Sequence, residues 1–277
     1  MRRLRFDRRS ARPVLLDVCP QEWNSLPGAY AAARTTRTRV AIVIDQFGFP
    51  ARHGEIAAAL PGLTLLEDAA CALGSRTEGR PAGAFGELAC LSFHPRKILT
   101  TGEGGACLTD DGALAARLRT LRNHGQVDGG GFAEAAGNHR MTELAAALGL
   151  VQLERLDPMV AARRDRARRY REALPGLRWQ RPAPGAEPNV QTLGVVLPEG
   201  APERDEALAS LRAAGVEAGL LSHVLHTLPS LGSPGGSFPH AEEIARRGIA
   251  LPLFSTMTDE AQGLVIDALR AILPPAP

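Results

Sequence analysis

Four cysteines stand in 277 residues, at 19, 71, 90 and 107, and no two form a Cys-x-x-Cys pair. No histidine lies at the spacing of a zinc ligand set, so the usual signatures of structural zinc and dithiol redox chemistry are absent. Cys71, Cys90 and Cys107 fall in apolar surroundings and are expected as buried thiols. No apolar run reaches the roughly 18 residues of a membrane span. Residues 1–12 hold six arginines, but no apolar stretch follows them, so they do not read as a secretory signal. They read as a frayed end, or as a start inside a longer parental protein, ahead of a basic arm for an acidic partner. A net charge of +2 gives no electrostatic reason to expect nucleic acid. There is no internal repeat, and a reducing cytoplasm fits this whole pattern.

What is present is a chain that is 44% hydrophobic, enough for a sizeable core in one large or two modest domains. Residues 14–18, 40–44, 63–66, 88–93 and 106–109 are short apolar runs. Helical segments lie among them, one around residues 56–60 between Pro50 and Pro61. Such runs predict strands buried on both faces of a mainly parallel sheet. Asp110-Asp111-Gly112 opens a helix with Leu114, Leu118 and Leu121 on one face. Residues 126–137 are glycine-rich and read as a mobile loop. Thr142-Glu143 opens another helix, with Leu144, Leu148 and Val151 on one face. Asp157-Pro158 starts a third, ending near Pro175-Gly176. Its arginines 163, 164, 166, 168, 169 and 171 spread around the axis, which predicts a solvated face ahead of a phosphate-binding surface. Residues 182–188 read as a linker or surface loop. From about residue 178 the pattern is strand, helix, short strand, loop, helix, a smaller α+β unit.

The chemistry gathers at Ser92-Phe93-His94-Pro95-Arg96-Lys97, followed by Gly102-Glu103-Gly104-Gly105. A lysine just past a strand, with glycines that let backbone crowd around it, suits Schiff-base formation with a cofactor aldehyde. The glycines do not form a dinucleotide fingerprint, because no helix follows at the right spacing. Asp68 ends another strand-like run, where it could hold a pyridinium nitrogen or cap a helix opened by Ala69 and Ala70.

Taken in order, these segments resemble the DegT/DnrJ/EryC1/StrS family of sugar aminotransferases. Arg12-Pro13-Val14, Phe47-Gly48-Phe49-Pro50-Ala51, Asn123-His124-Gly125, Gly137-Asn138-His139-Arg140 and Leu251-Pro252-Leu253 match further family segments. The resemblance implies an α/β fold, the fold-type I architecture of enzymes that use pyridoxal 5′-phosphate (PLP). A partial PLP-binding large domain would occupy residues 1–157 and a small C-terminal α+β domain residues 158–277. Lys97 would be the catalytic lysine that bonds the cofactor and shuttles protons. Asp68 would pair with the ring nitrogen, and Ser92 would hydrogen-bond the phosphate. Asn138 would reach the phosphate of the other subunit of a homodimer. Cys71 stands where the family usually has Gln or His beside the ring. His94 is expected to be structural or to wall the substrate pocket. His226 lies in a segment resembling one that faces the sugar nucleotide, with a surface histidine as the alternative. Glu103 is expected to help hold the lysine loop.

Two departures stand out. Family members usually carry roughly a hundred residues ahead of the Arg12 segment, although domain size alone permits a chain this short. That part normally supplies a Gly-Thr phosphate turn and a stacking aromatic ring, and neither is in a matching place here. The reaction implied is amino transfer from glutamate or glutamine to a keto group of a nucleotide-linked sugar. The rival is an impaired or truncated member acting as partner of a full-length paralogue. A PLP-dependent sugar dehydratase is opposed by Lys97, because such members carry histidine there. A sheet lacking early strands exposes core and edge, which predicts marginal solubility without a partner.

Overall fold

The computed structural model describes residues 11–231 and 235–274. Most of the arginine-rich start therefore lies outside the described residues. Four of the five residues of β1 (Val40–Ile44) are β-branched, a composition that suits a pleated, half-buried strand. Helices α1 (Pro27–Ala33) and α2 (His53–Ala59) pack together on one side of it. Strand β2 (Thr64–Asp68) runs parallel to β1, pairing Val40 with Thr64 through Ile44 with Asp68. A small hairpin follows, β3 (Arg76–Thr77) and β4 (Arg80–Pro81), turned by Glu78 and Gly79, both at positive φ. Strand β5 (Leu88–Ser92) pairs parallel with β2, and β6 (Gly105–Leu108) runs antiparallel along β5. The sheet order is β1-β2-β5-β6, mainly parallel as expected.

Ala41, Val43, Leu63 and Leu65 on one face of this sheet pack with Ile56 and Leu60 of the α2 region. The expectation of two buried faces fails at β1, where Val40, Ile42 and Ile44 alternate outward and are 40–53% exposed. The reason is one-sided cover: α1 and α2 shield only the inner residues. Residues 14–18 do not form the expected strand either. They run as an irregular strap whose Asp17 carboxylate accepts from the backbone N–H groups of His240 and Ala241.

Helix α3 (Gly112–Arg122) is capped by Asp111, which accepts from the N–H groups of Ala113 and Leu114. Its Leu114, Leu118 and Leu121 line a shallow groove with Leu88. Helix α4 (Glu143–Leu153) is capped by Thr142. Its expected apolar face is turned to solvent, with Leu144 86% exposed and Leu148 and Val151 about half so. One flank of the helix docks instead. Gln152 bonds both the N–H and the C=O of Thr100, and Gly149 is buried against Thr101.

Helix α5 (Leu156–Ala173) corrects the expectation of a solvated arginine face. Arg168 does pair only with Asp165 and Glu172 on its own helix. Arg166 and Arg169 bind Asp259, and Arg163 is 6% exposed, deep in the fold. The second half adds β7 (Arg178–Trp179), β8 (Ala186–Glu187), β9 (Leu193–Val196), α6 (Arg204–Ala213), β10 (Gly219–Leu220), α7 (Pro239–Arg247), β11 (Gly248–Leu251) and α8 (Asp259–Ile272). Strands order as β10-β11-β9-β7, all antiparallel, while β8 joins β3 of the first half. The main core unites Trp23, Phe47 and Phe49 with Tyr170, Leu193, Leu211, Ile249 and Leu269.

The thiol expectation also needs correction. Cys107 is exposed and Cys71 and Cys90 are half-buried, because β6 is an edge strand and Cys71 lies in a turn.

Burial of the Arg163 guanidinium pulls its pKa down to about 10. It donates to the carbonyls of Val190, Gln191 and Leu253. Arg163→Met would orphan these acceptors at about 1–3 kcal/mol apiece, so a loss of about 3 kcal/mol or more is expected. Urea unfolding at constant slope reads it; an unchanged midpoint contradicts the arrangement.

Candidate active site

Strand β5 ends at Ser92, and the following loop closes on itself before β6 returns. Phe93 N–H donates to the Gly104 carbonyl, and Thr101 N–H and the Thr100 hydroxyl both donate to the Phe93 carbonyl. Lys97 N–H donates to the His94 carbonyl, which makes a tight turn around Pro95 and Arg96. Gly104 is required here, since a Cβ would stand 2.4 Å from the Thr101 hydroxyl. The turn aims the Lys97 side chain at the end of β2, where Nζ lies 3.0 Å from Cys71 Sγ. Lys97 is the only lysine in the chain; every other residue counted with it as basic is arginine. That count was available in the sequence as a signal.

Asp68 closes β2 opposite Cys90 of β5, so its carboxylate and the residues Cys90 and Ser92 share one sheet face. Cys90 Sγ lies 3.7 Å from Asp68 Oδ1, which also accepts from Ala70 N–H. No helix follows Asp68. Residues 70–74 are turns, so the helix-cap alternative is not realised. Ser92 Oγ accepts a long bond, 3.4 Å, from His94 N–H. The sheet thus delivers an amine, a carboxylate and a hydroxyl from the carboxyl ends of adjacent parallel strands, where open α/β sheets place ligands.

A segment that sequence reasoning missed ties these loops together. Asn189 Nδ2 donates to the carbonyls of Cys71 and Leu73. Gln191 Nε2 donates to the Arg96 carbonyl, and its Oε1 accepts from Ile98 N–H, so it brackets Lys97. Asn189 Oδ1 accepts from Gln191 N–H, which couples the two grips. Gly48, at φ +88°, passes beneath them, and a Cβ there would stand 1.8 Å from Asn189 Oδ1.

A second missed feature is a buried trio behind the sheet. His53 Nε2 lies 2.7 Å from Asp45 Oδ1 and 3.9 Å from Glu67 Oε1, and Phe85 stacks on the imidazole. Burial pushes the Glu67 carboxyl upward, against the pull of hydrogen bonds from Gly83 and Phe85 N–H. These bonds fasten the loop before β5 to β2. Spacing gave no sign of the trio, because its members come from three separate elements.

The remaining expected residues lie elsewhere. His94 is half-buried, with Nδ1 accepting from Arg96 N–H and Nε2 3.9 Å from the largely exposed Glu103. Thr101 holds the Glu103 carbonyl, so the backbone of Glu103, more than its side chain, shapes the lysine loop. Asn138 is exposed and bonds Arg140 through its side-chain oxygen. Bridges between Asn123 and Asn138, and between Gln126 and Phe132, brace the glycine-rich loop. His226 stacks on Phe238 and pairs with Glu242 at 2.9 Å, in the second half of the chain.

The sequence profile of the DegT/DnrJ/EryC1/StrS aminotransferase family matches residues 7–270. The chain belongs to this family. Among curated relatives of this family member, GDP-perosamine synthase of Caulobacter vibrioides is 33% identical, over 95% of this chain and 74% of its own length. The dTDP-3-amino-3,4,6-trideoxy-alpha-D-glucose transaminase of Micromonospora megalomicea subsp. nigra is 32% identical, over 98% and 75% respectively. Among solved structures, the aminotransferase TlmJ of Streptoalloteichus hindustanus superposes with a TM-score of 0.89 at 32% identity, covering 95% of this chain and 73% of that one. The match bears out the fold-type I α/β architecture expected from the resemblance.

Burial, with the adjacent Asp68 charge adding to it, pushes the Cys90 thiol up to about 11. Cys90 therefore stays protonated at pH 8 and is expected to alkylate more slowly than exposed Cys107 by about tenfold or more. Peptide-resolved iodoacetamide labelling measures this; equal rates would contradict it.

Proposed function

We propose that this chain is a PLP-dependent aminotransferase moving an amino group from glutamate or glutamine to a keto group of a nucleotide-linked sugar. One observation carries the reading: the sole lysine reaches Cys71 Sγ at 3.0 Å, at the strand end that carries Asp68. The donor set fits the cofactor. It offers an amine for an aldehyde, a carboxylate for a pyridinium nitrogen, and a hydroxyl on the same sheet face for a phosphate. When bound, PLP supplies an electron sink that lets an amine's α-hydrogen leave as a proton.

The chain's own residues do the rest. Lys97 Nζ would hold the cofactor through its aldehyde and, when free, would accept and return the α-proton. Asp68 would pair with the ring nitrogen and keep its proton in place. Ser92 Oγ would donate to the phosphate, and Cys71, beside Lys97, would line the ring's place. His94 walls the substrate side, and His226 faces the nucleotide. The relatives named for GDP- and dTDP-linked sugars support this substrate class.

Asn138 serves the site of a second copy in a homodimer. The outward Leu144, Leu148 and Val151 of the helix that follows it support an interface there. The division at residues 157/158 is retained as large and small domains, bridged by the core that Trp23, Phe47 and Phe49 share with the second half. Among the described residues no helix is long and apolar enough to cross a membrane, and the cytoplasm is the proposed location. The second reading, an impaired partner of a longer paralogue, is favoured by the uncovered apolar face of β1.

Mixing the protein with PLP and reducing with borohydride separates the two. The first reading predicts a visible band and a stable label on Lys97, both lost in Lys97→Ala. In Asp68→Asn the label is expected to persist while amino transfer falls about 10²-fold or more. A folded protein with no Lys97 label contradicts the first reading and supports the second.

A further inference from the structure

Cys71 and Lys97 bring a nucleophilic sulfur and an amine to 3.0 Å, and neither can easily drift away. Asn189 grips the Cys71 carbonyl, Gln191 grips the residues on either side of Lys97, and Asn189 and Gln191 bond each other. Cys71 is half-buried and unpaired with any other cysteine, so a small oxidant can reach it. We infer that this pair is a hydroperoxide-driven covalent switch that closes an S–N bond between Cys71 and Lys97.

The chemistry balances in two steps. A hydroperoxide transfers one oxygen to Cys71 Sγ: the O–O bond breaks, sulfur gives up two electrons, and the thiol becomes a sulfenic acid as water or an alcohol leaves. The neutral amine of Lys97 then attacks that sulfur. The S–N bond forms, the S–O bond breaks, and the hydroxyl leaves as water with one amine proton. Two equivalents of a thiol reverse the process, restoring the thiol and the amine and leaving as a disulfide. Of the other half-buried cysteines, Cys19 donates to Gln21 Oε1 and Cys90 is held as the thiol beside Asp68; among the described residues neither has a lysine amine within bonding reach, since the chain's one lysine side chain is already at Cys71. Closing the bond takes the Lys97 amine out of play. That consequence, unlike the bond itself, rests on Lys97 being the cofactor lysine.

The single lysine gives a direct readout. A protease that cuts only after lysine should split the reduced protein into two fragments, and an S–N bond at Nζ should abolish the cut. The protein without added PLP is treated with hydrogen peroxide, blocked with iodoacetamide, denatured and digested. The expected result is loss of cleavage, an intact mass lower by two hydrogens than the untreated chain before blocking, and recovery of cleavage with dithiothreitol. Cys71→Ser should be cut with or without peroxide. The capacity of Lys97 to be labelled by PLP and borohydride should be lost after peroxide treatment and regained after dithiothreitol. Full cleavage after peroxide, with Cys71 recovered as an oxygen acid or a disulfide, would overturn the switch. Cross-link formation in a protein whose reduced form never takes PLP would support the bond and overturn the cofactor reading of Lys97.

Discussion

Asn189 and Gln191 reach from one short segment to two loops, the one after β2 that carries Cys71 and the one that carries Lys97. Neither loop is regular structure, so neither has a sheet ladder or helix to fix it. Their relative position depends on side-chain amides that satisfy loop backbone groups, and a buried backbone group left unpaired is costly. The segment itself is under strain: Val190 is β-branched yet sits at φ +54°, which costs on the order of 1–3 kcal/mol. Arg163 holds it there through the Val190 and Gln191 carbonyls, from a helix anchored by Asp259. Ser75 adds a lower tie, accepting from Asn189 N–H and donating to the Gly48 carbonyl. A helix in the second half of the chain thus sets the geometry of reactive groups in the first.

The same economy explains α4. Its docking by Gln152 and Gly149 on Thr100 and Thr101 braces the far side of the lysine loop. The consequence is that Leu144, Leu148, Leu150 and Leu153 face outward. At β1 a one-sided cover leaves three β-branched side chains outward on the edge of the sheet. The curated relatives are longer, this chain spanning about three quarters of their length, and an uncovered strand face is where added protein gains most by burial. Lys97 and Asp68 need not wait for such cover, because their frame is internal to the described residues.

Much of the fold was legible because its signals are local. The β-branched run at 40–44, the Asp111 and Thr142 caps and the Asp157-Pro158 helix start each carry their own chemistry, and each lies where the pattern put it. The lysine turn was legible from its glycines and the strand before it. Residues 14–18 have strand composition but pair with no strand among the described residues, and pairing is not written in a strand's own residues. The outward leucines of α4 follow from a glutamine and a glycine that pattern reading ranks low. The arginine helix misled because charge suggests solvent, whereas Arg163 is buried to satisfy carbonyls some 27 and 90 residues further along. Asn189 and Gln191 gave no local signal at all: their importance lies in which loops they meet, and only the tertiary fold sets that.

The central claim is that the Asn189–Gln191 segment, by fixing two loops, aims Lys97. The most direct test is the rate of borohydride-trapped PLP labelling of Lys97 in Gln191→Ala and in Asn189→Ala, with folding checked by circular dichroism. The account predicts folded variants whose labelling slows by about tenfold or more, since positioning of this kind contributes several kcal/mol to reaction at a fixed geometry. Labelling at the parent rate in both folded variants would show that Lys97 finds its place without the clamp.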